Sequence, residues 1–199
     1  MRWDGDFGRK YTARNQGDRD ALCLMDYGVT MSSLFQRFLG PLPRDMGTLE
    51  VGCNIGTNLL MLREMGFHDL TGVDIEPTAL AQAGARGLRV VNANAVSLPF
   101  KDESFDLVFT SGVLIHIPPA DLETVMGEML RVSNRYIHGL EYWHSELVEV
   151  EYRGQMGLMW KGPYAELWQA RGLDLRRYHR LEYKDGSGCV DELYLLEKE

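Results

Sequence analysis

The predicted fold depends first on one stretch of the chain, Leu49-Glu50-Val51-Gly52-Cys53-Asn54-Ile55-Gly56-Thr57-Asn58. A short apolar run passes here into a glycine-rich turn and then into a helix-like segment. Glycines let the backbone approach a ligand closely, and the first turn of a helix offers unpaired backbone N–H donors. The stretch therefore predicts a strand, a ligand-binding loop and a helix.

Short apolar runs and helix-like stretches alternate on both sides of this loop. The predicted strands are 48–51, 70–74, 89–92, 105–110 and 136–142, with predicted helices at 57–65, 77–86 and 120–131. This alternation is typical of a parallel sheet with right-handed crossovers. A helix at 163–171 and two strands at 174–183 and 190–197, separated by Asp185-Gly186, predict an antiparallel pair at the end.

We therefore expect an α/β fold: a Rossmann-like, doubly wound, mostly parallel seven-stranded sheet with an antiparallel C-terminal strand. Residues 18–38 have apolar positions at helical spacing and predict one helix, which Gly40-Pro41-Leu42-Pro43 ends. The glycines and charges of residues 1–17 exclude a core strand there. The prediction is a single domain over 1–199, with an N-terminal helical cap at 1–40 and a Rossmann-like core at 46–199.

Composition limits the classes of function that fit this chain. Its 199 residues are 45% hydrophobic and 25% charged, which suits one globular domain and excludes a disordered chain. No apolar run approaches the ~20 residues of a membrane span, and the charged N-terminus has no signal-peptide core. These features predict a cytoplasmic protein that does not cross a membrane.

The charge distribution favours a small anionic substrate over a nucleic acid. The net charge of −8 disfavours binding to duplex phosphates. Residues 151–184 are the exception, since seven Lys or Arg against four Asp or Glu give this segment a charge of +3. The three cysteines and five histidines have no ligand spacing, so neither a disulfide framework nor a metal site is expected.

Two acids separate the cofactor classes that such a loop can bind. Asp74 lies 22 residues after Gly52, at the end of the second predicted strand, where a carboxylate can accept both hydroxyls of a ribose. A dinucleotide favours three glycines, but Asn54 and Thr57 replace two of them. Glu50 would attract the ammonium and sulfonium of S-adenosylmethionine and repel a pyrophosphate. The alternative is a helix-capping turn with a solvent-facing Asp74.

Beyond this loop the chain resembles the class I S-adenosylmethionine-dependent methyltransferases. The resemblance depends on Val91-Asn92-Ala93-Asn94-Ala95, on Ser97-Leu98-Pro99-Phe100, and on residues 104–112, which contain the fourth predicted strand and the start of the loop after it. The resemblance implies that the loop after strand three binds the adenine amine and that the loop after strand four lines the methyl-transfer site. Asn94 stands where an Asp is usual; its amide can still pair with adenine, or it makes an Asx turn.

A narrower resemblance, over nearly the whole chain, is to the methylases associated with pseudaminic acid biosynthesis. Its first motif is Trp3-x-Gly5-x-Phe7-Gly8-x-x-Tyr11-x-x-Arg14-Asn15. The others are Ser133-Asn134-Arg135-Tyr136-Ile137, Glu141-Tyr142, Tyr152-Arg153-Gly154, Trp160-Lys161 and Leu195-Leu196-Glu197-Lys198. This resemblance implies a small single-domain methyltransferase that acts on a sugar-like or nucleotide-sugar metabolite.

The expected cofactor contacts extend from the N-terminal segment to the fourth strand. Tyr11 would stack or hydrogen-bond at the methionine end and Arg14 would pair with its carboxylate; alternatively, Trp3, Phe7 and Tyr11 only dock a terminal helix. The full set is Tyr11, Arg14, Glu50, Gly52, Cys53, Asn54, Gly56, Asn58, Asp74, Ile75, Asn94, Ala95 and Ser111.

The expected catalytic and substrate residues follow the fourth and fifth strands. His116 is the candidate base, although a histidine here can also serve only packing, and a carboxylate acceptor needs no base. Tyr142, His144, Arg153 and Lys161 are the candidate substrate contacts; the alternative is that Arg153 and Lys161 form a solvated face.

The sequence thus predicts methyl transfer from S-adenosylmethionine, with S-adenosylhomocysteine as product, to an oxygen or nitrogen of a small anionic metabolite. Three alternatives remain: a nicotinamide-linked oxidoreductase, a non-catalytic S-adenosylmethionine-binding subunit, and a methyltransferase with a macromolecular acceptor. The net charge and the lack of a basic domain disfavour a nucleic-acid acceptor.

Overall fold

A seven-stranded sheet forms the centre of the protein, a computed structural model of which describes Trp3 and residues 5–199. Its strands are β1 (Thr48–Val51), β2 (Leu70–Asp74), β3 (Arg89–Asn92), β4 (Phe105–Ser111), β5 (Ser133–Tyr142), β8 (Leu173–Glu182) and β9 (Val190–Lys198). Their order is β3-β2-β1-β4-β5-β9-β8. β9 runs antiparallel to the other six strands, so the predicted mostly parallel sheet is confirmed. A short hairpin of β6 (Val148–Glu149) and β7 (Trp160–Lys161) lies apart from it.

Helices cover both faces of this sheet. They are α1 (Asp6–Arg14), α2 (Arg19–Tyr27), α3 (Met31–Leu39), α4 (Thr57–Glu64), α5 (Pro77–Ala85), α6 (Pro119–Val132) and α7 (Tyr164–Gln169). Strand side chains alternate between two cores: Leu107 and Phe109 pack with α3 and α4, whereas Val108 packs with α6 and α7. Burial on both faces is what makes the strands read as continuous apolar runs.

The cap differs from the single helix predicted at 18–38, because two helices occupy this segment. Asp18 caps the start of α2 by accepting from Asp20 N, and Gly28 ends it in the left-handed region at φ 78°. Thr30 then caps α3 by accepting from Ser33 N. The apolar spacing continues across the break, which is why periodicity alone did not reveal it.

The strand order places a crevice at the end of β1. The chain leaves β1 towards β2 on one side, and β4 returns to β1 on the other. Loops at the carboxyl ends of these strands diverge at such a reversal, and ligands of open α/β sheets bind there. Separately, none of the helices in the described residues is long and apolar enough to cross a membrane.

Candidate active site

A cavity of about 430 Å³ occupies the crevice at the ends of β1, β2 and β4, beneath α1. Twelve of the predicted cofactor and catalytic residues line it: Tyr11, Glu50, Gly52, Cys53, Asn54, Asn58, Asp74, Ile75, Asn94, Ala95, Ser111 and His116. Six predicted site residues do not: Arg14, Gly56, Tyr142, His144, Arg153 and Lys161. The cavity therefore brings together the residues of the strand ends and leaves out all four predicted substrate contacts.

The loop after β1 needs both of its glycines, for different reasons. Gly52 has φ 74°, and a Cβ there would lie 2.6 Å from Val113 Cγ2. Gly56 has φ 78°, and a Cβ there would lie 2.1 Å from Leu88 Cδ1. Gly52 thus lets the loop pass close to Val113 in the loop after β4. Gly56 lets α4 begin in contact with Leu88. Gly56 supports the loop without lining the cavity.

Asp74 holds the loop and still offers its carboxylate to the cavity. Its Oδ2 accepts from Asn54 N at 2.8 Å and its Oδ1 accepts from Glu76 N at 2.9 Å. Each carboxylate oxygen can accept a second hydrogen bond. Burial raises the pKa of Asp74 above its usual value. This arrangement can accept two hydroxyl donors side by side, as the diol of a ribose presents them.

Glu50 and Asn58 leave two buried acceptors without a donor. Glu50 is only 2% exposed, and its Oε1 accepts from Asn58 Nδ2 at 2.7 Å. Glu50 Oε2 and Asn58 Oδ1 have no hydrogen-bond partner among the described residues. Burial raises the pKa of Glu50 to about 8. Because unpaired buried acceptors are costly, this corner of the cavity is suited to an ammonium group that donates to both.

Arg19, a residue that the sequence reasoning missed, is the arginine of the cavity wall. It begins α2, its Nη2 donates to Ser111 Oγ at 3.0 Å, and its buried Nε has no partner among the described residues. Arg14 instead lies at the exposed end of α1. The start of a helix near Arg19 was predicted, but no sequence pattern indicated that this helix docks with Arg19 over the cavity.

His116 is held in one tautomer and is neutral. Its Nδ1 lies 2.7 Å from Leu158 O and donates to it, which leaves Nε2 as an acceptor. Burial lowers the pKa of His116 to about 4. Buried Glu141 on β5 fixes the preceding turn by accepting from Val113 N at 3.0 Å and Ile115 N at 3.3 Å. The ring can therefore accept a hydrogen bond at neutral pH.

At the end of β3, Asn94 and Ala95 line the far side of the cavity with Ile75. Asn94 Oδ1 accepts from Val96 N at 3.2 Å, which is the local turn that the sequence offered as the alternative role of this residue. Asn94 both shapes the loop and faces the cavity.

The four predicted substrate contacts do not form one cluster. Lys161 donates to Cys189 Sγ at 3.2 Å and lies 5.8 Å from the ring centroid of Tyr142. Arg153 is exposed, with φ 53°. His144 Nδ1 hydrogen-bonds locally, with Glu146. Lys161 on β7 lies beside Tyr142 at the end of β5.

No group of three or more His, Cys, Asp or Glu side chains in the described part of the chain is arranged to hold a metal ion. The polar groups of the cavity are arranged instead for an organic ligand with hydroxyl, ammonium and carboxylate groups.

Comparison with known proteins finds a similarity to methyltransferases in part of the chain. Residues 49–135 match a family model described as "Methyltransferase domain". An uncharacterized protein of Haemophilus influenzae is 39% identical over 102 residues, which are 47% of this chain and 40% of that protein. This chain therefore spans well under two thirds of the length of that relative.

Two solved structures share the fold. The magnesium protoporphyrin IX methyltransferase of Synechocystis PCC 6803 has a TM-score of 0.71 and 13% identity, over 99% of this chain and 97% of that one. The 1,6-didemethyltoxoflavin-N1-methyltransferase of Burkholderia thailandensis has a TM-score of 0.69 and 20% identity, over 96% and 82%. Both were determined with bound S-adenosylhomocysteine.

The fold and site define the class: a Rossmann-like fold of the kind found in S-adenosylmethionine-dependent methyltransferases, as predicted. The family match over 49–135 supports the prediction of a methyltransferase that uses this cofactor. None of the relatives named here carries a name from pseudaminic acid biosynthesis, so the narrower resemblance stays a prediction.

Proposed function

We propose that the protein transfers the methyl group of S-adenosylmethionine to an oxygen or nitrogen of a small molecule. The observation that carries this proposal is the set of unpaired buried groups on one side of the cavity: two acceptors on Glu50 and Asn58 and one donor on Arg19. An α-amino acid zwitterion would satisfy all three, with its ammonium on the acceptors and its carboxylate on the guanidinium. A nicotinamide dinucleotide has no such group.

The cavity residues fit the rest of the cofactor in the order of the strands. Asn94 at β3, Asp74 at β2 and Glu50 at β1 follow one another across the sheet, as adenine, ribose and amino acid do along S-adenosylmethionine. When bound, this cofactor supplies an electrophilic methyl group on a sulfonium. The residues of the chain then have three tasks: to hold both ends of the cofactor, to orient the acceptor in line, and to exclude water.

His116 would orient the acceptor. Its Nε2 can accept a hydrogen bond from a hydroxyl or amine, which points the lone pair of that heteroatom along the transfer direction. Because burial lowers the pKa of His116 to about 4, the ring does not retain a second proton, on Nε2, at neutral pH. The proton released on transfer to a hydroxyl would therefore pass to solvent.

For the acceptor we propose a small molecule with an anionic group near Lys161. Lys161 and Tyr142 lie at the end of β5, next to β4 in the sheet, so they can bind a molecule that reaches past His116. The Burkholderia thailandensis structure contains 1,6-didemethyltoxoflavin, which is consistent with a small-molecule acceptor in this fold. The sugar-like character of the acceptor stays a prediction of the resemblance.

Calorimetric titration tests the cofactor part of the proposal. S-adenosylhomocysteine should bind and NAD⁺ should not; the reverse result would support the oxidoreductase alternative. Arg19→Met should weaken S-adenosylhomocysteine binding by about ten-fold, the loss of one charge-assisted hydrogen bond. Arg14→Met, which removes the same group from the exposed end of α1, should leave it unchanged.

Transfer of labelled methyl groups tests the reaction. The protein is incubated with methyl-labelled S-adenosylmethionine and fractionated small metabolites, and labelled products are identified by mass spectrometry. A labelled small molecule is the expected result. Cofactor binding without a labelled small molecule in any fraction would contradict the proposed acceptor class and favour a non-catalytic subunit or a macromolecular acceptor.

A further inference from the structure

Aromatic rings form the wall of the cavity on the side of β4. The rings of Trp3, Tyr11 and His116 all line the cavity. Trp3 lies 4.3 Å from His116 and 5.2 Å from Tyr11, measured between ring centroids. Phe7 and Tyr152 support this aromatic wall, at 4.9 Å from Trp3 and 5.2 Å from His116 respectively.

Apolar side chains also line the cavity. They are Leu22 of α2 together with Ile117, Pro118 and Leu158. The charged and amide groups that suit the cofactor come instead from the ends of β1, β2 and β3 and from Arg19. The cavity lining thus combines a polar set, which fits the cofactor, with an aromatic and apolar set that includes the loop after β4; Asp121 of α6 also lines the cavity.

Few polar atoms are available on the aromatic wall. His116 offers Nε2, because its Nδ1 is used by Leu158 O. Tyr11 offers one hydroxyl, which stays protonated since burial raises its pKa to about 12. A sugar ring presents several hydroxyls, and each would lose a water partner on entering this wall. A flat ring buries its faces against aromatic and aliphatic side chains and needs only one or two polar contacts.

We propose that the aromatic wall of Trp3, Tyr11 and His116 is the acceptor subsite and that it takes a flat aromatic or heteroaromatic ring. This inference rests on the proposed function and deepens it by naming the class of the acceptor. The ring packs against Trp3 and Tyr11, and the heteroatom to be methylated points its proton at His116 Nε2. An anionic group on the ring, if present, extends towards Lys161.

Three carboxylates of matched charge test this proposal without knowledge of the natural acceptor. They are 2-naphthoate, decahydro-2-naphthoate and methyl β-D-glucuronide, which present a flat ring, a non-flat hydrocarbon and a sugar. Each is titrated into protein saturated with S-adenosylhomocysteine and followed by ligand-observed nuclear magnetic resonance. We expect 2-naphthoate to bind at least ten-fold more tightly than the other two.

Two substitutions of Trp3 test whether the subsite needs an aromatic ring at this position or only an apolar side chain. Trp3→Leu should lower 2-naphthoate affinity by about ten-fold, whereas Trp3→Phe should retain most of it. Tyr178→Ala serves as the control, since it removes a partly exposed ring on β8 that does not line the cavity. Affinity for S-adenosylhomocysteine is measured for every variant.

The outcomes distinguish this inference from the proposed function. If S-adenosylhomocysteine does not bind the unaltered protein, the proposed function fails. If it binds but the glucuronide or the decahydro compound binds as tightly as 2-naphthoate, the flat-ring subsite is wrong. A Trp3→Leu variant that loses S-adenosylhomocysteine affinity but keeps 2-naphthoate affinity would assign the wall to the cofactor and overturn the inference.

Discussion

At the scale of single residues, Glu50 and Asp74 show how burial gives two carboxylates different tasks. Both oxygens of Asp74 accept backbone N–H groups, so this residue is satisfied before any ligand binds. Glu50 Oε2 has no partner among the described residues, and burial raises the pKa of Glu50 to about 8. The hydrogen bonds of Asp74 are therefore in place before a ligand binds, whereas Glu50 becomes a carboxylate when a cation approaches.

The raised pKa of Glu50 makes ligand binding depend on pH. At pH 6 the side chain is mostly protonated, and a bound ammonium must displace that proton. Affinity for S-adenosylhomocysteine should therefore rise by roughly ten-fold per unit between pH 6 and 7.5 and level off above 8. Calorimetry across this range checks it. The Glu50→Gln variant should bind more weakly with a flat profile; an unchanged slope in the variant would show that another group is responsible.

Removing the carboxylate of Asp74 tests the ribose contact. Asp74→Ala should weaken S-adenosylhomocysteine binding by ~1 to 3 kcal/mol, since two hydrogen bonds to a charged acceptor are lost. Asp69→Ala is the comparison, because Asp69 is an acid near the start of β2 and does not line the cavity. Equal affinities for the two variants would contradict the assignment of Asp74.

How far single residues could be predicted depends on what positions them. Glu50, Asn58 and Asp74 were predictable because each lies a fixed distance from a glycine turn or strand end. Arg19 was not, because its position comes from the docking of α2 on the sheet. The aromatic neighbours Trp3 and Tyr152 of His116 come from the segment before α1 and from the segment between β6 and β7, and no local pattern links these segments to the loop after β4.

At the scale of elements, α1 closes the cavity through two close contacts. Asn54 Nδ2 in the loop after β1 donates to Thr12 Oγ1 on α1 at 3.0 Å. A Cβ at Gly8 would collide with Trp3 O, just before α1, and would lie 3.1 Å from Glu76 Cγ at the start of α5. The helix therefore sits directly over the residues that fit the ribose.

Gly8→Ala should displace α1 and weaken S-adenosylhomocysteine binding several-fold, because backbone must move to accept the methyl group. Calorimetry measures this effect. Gly127→Ala is the matched control: Gly127 lies within α6 with open space around its Cα, so alanine should stabilise the protein by ~0.4 to 1 kcal/mol and leave binding unchanged. Unchanged binding in both variants would show that α1 does not cover the ligand.

The strands and helices of the core were predictable to within a few residues, because buried parallel strands and amphipathic helices leave distinct patterns. The division of the cap into α2 and α3 was not. Gly28 in the left-handed region and the Asp18 and Thr30 caps end and restart the helix. The bond from Ser32 N to Asp20 Oδ1 at 2.7 Å then fixes the two helices against each other.

At the scale of the whole molecule, several carboxyl groups are buried with raised pKa values. Burial raises the pKa of Glu50 to about 8 and that of Glu141, Asp191 and Glu192 to about 7. Glu141 and Glu192 accept backbone N–H groups, whereas Asp191 accepts from the hydroxyl of Tyr27 at 2.5 Å. Folding therefore favours the protonated form of these groups.

These raised pKa values predict that the ligand-free protein is less stable at alkaline pH. Between pH 6.5 and 8.5 the folded state binds more protons than the unfolded state, so the free energy of unfolding falls as pH rises. Glu50 alone would account for roughly 2 kcal/mol over this range. The buried histidines oppose it only weakly, because they are neutral in the folded state and each loses only about half a proton in the unfolded state over this range. Thermal unfolding at both pH values measures the change; equal or higher stability at pH 8.5 would contradict it.

The central claim is that the cavity recognises the amino acid end of the cofactor through Glu50, Asn58 and Arg19. The most direct measurement compares S-adenosylhomocysteine with 5′-methylthioadenosine, which keeps the adenine, ribose and sulfur but lacks the amino acid. Calorimetric titration should show S-adenosylhomocysteine binding about 100-fold more tightly, the effect of two charge-assisted hydrogen bonds. Equal affinities would contradict the account, since the unpaired groups would then have another purpose.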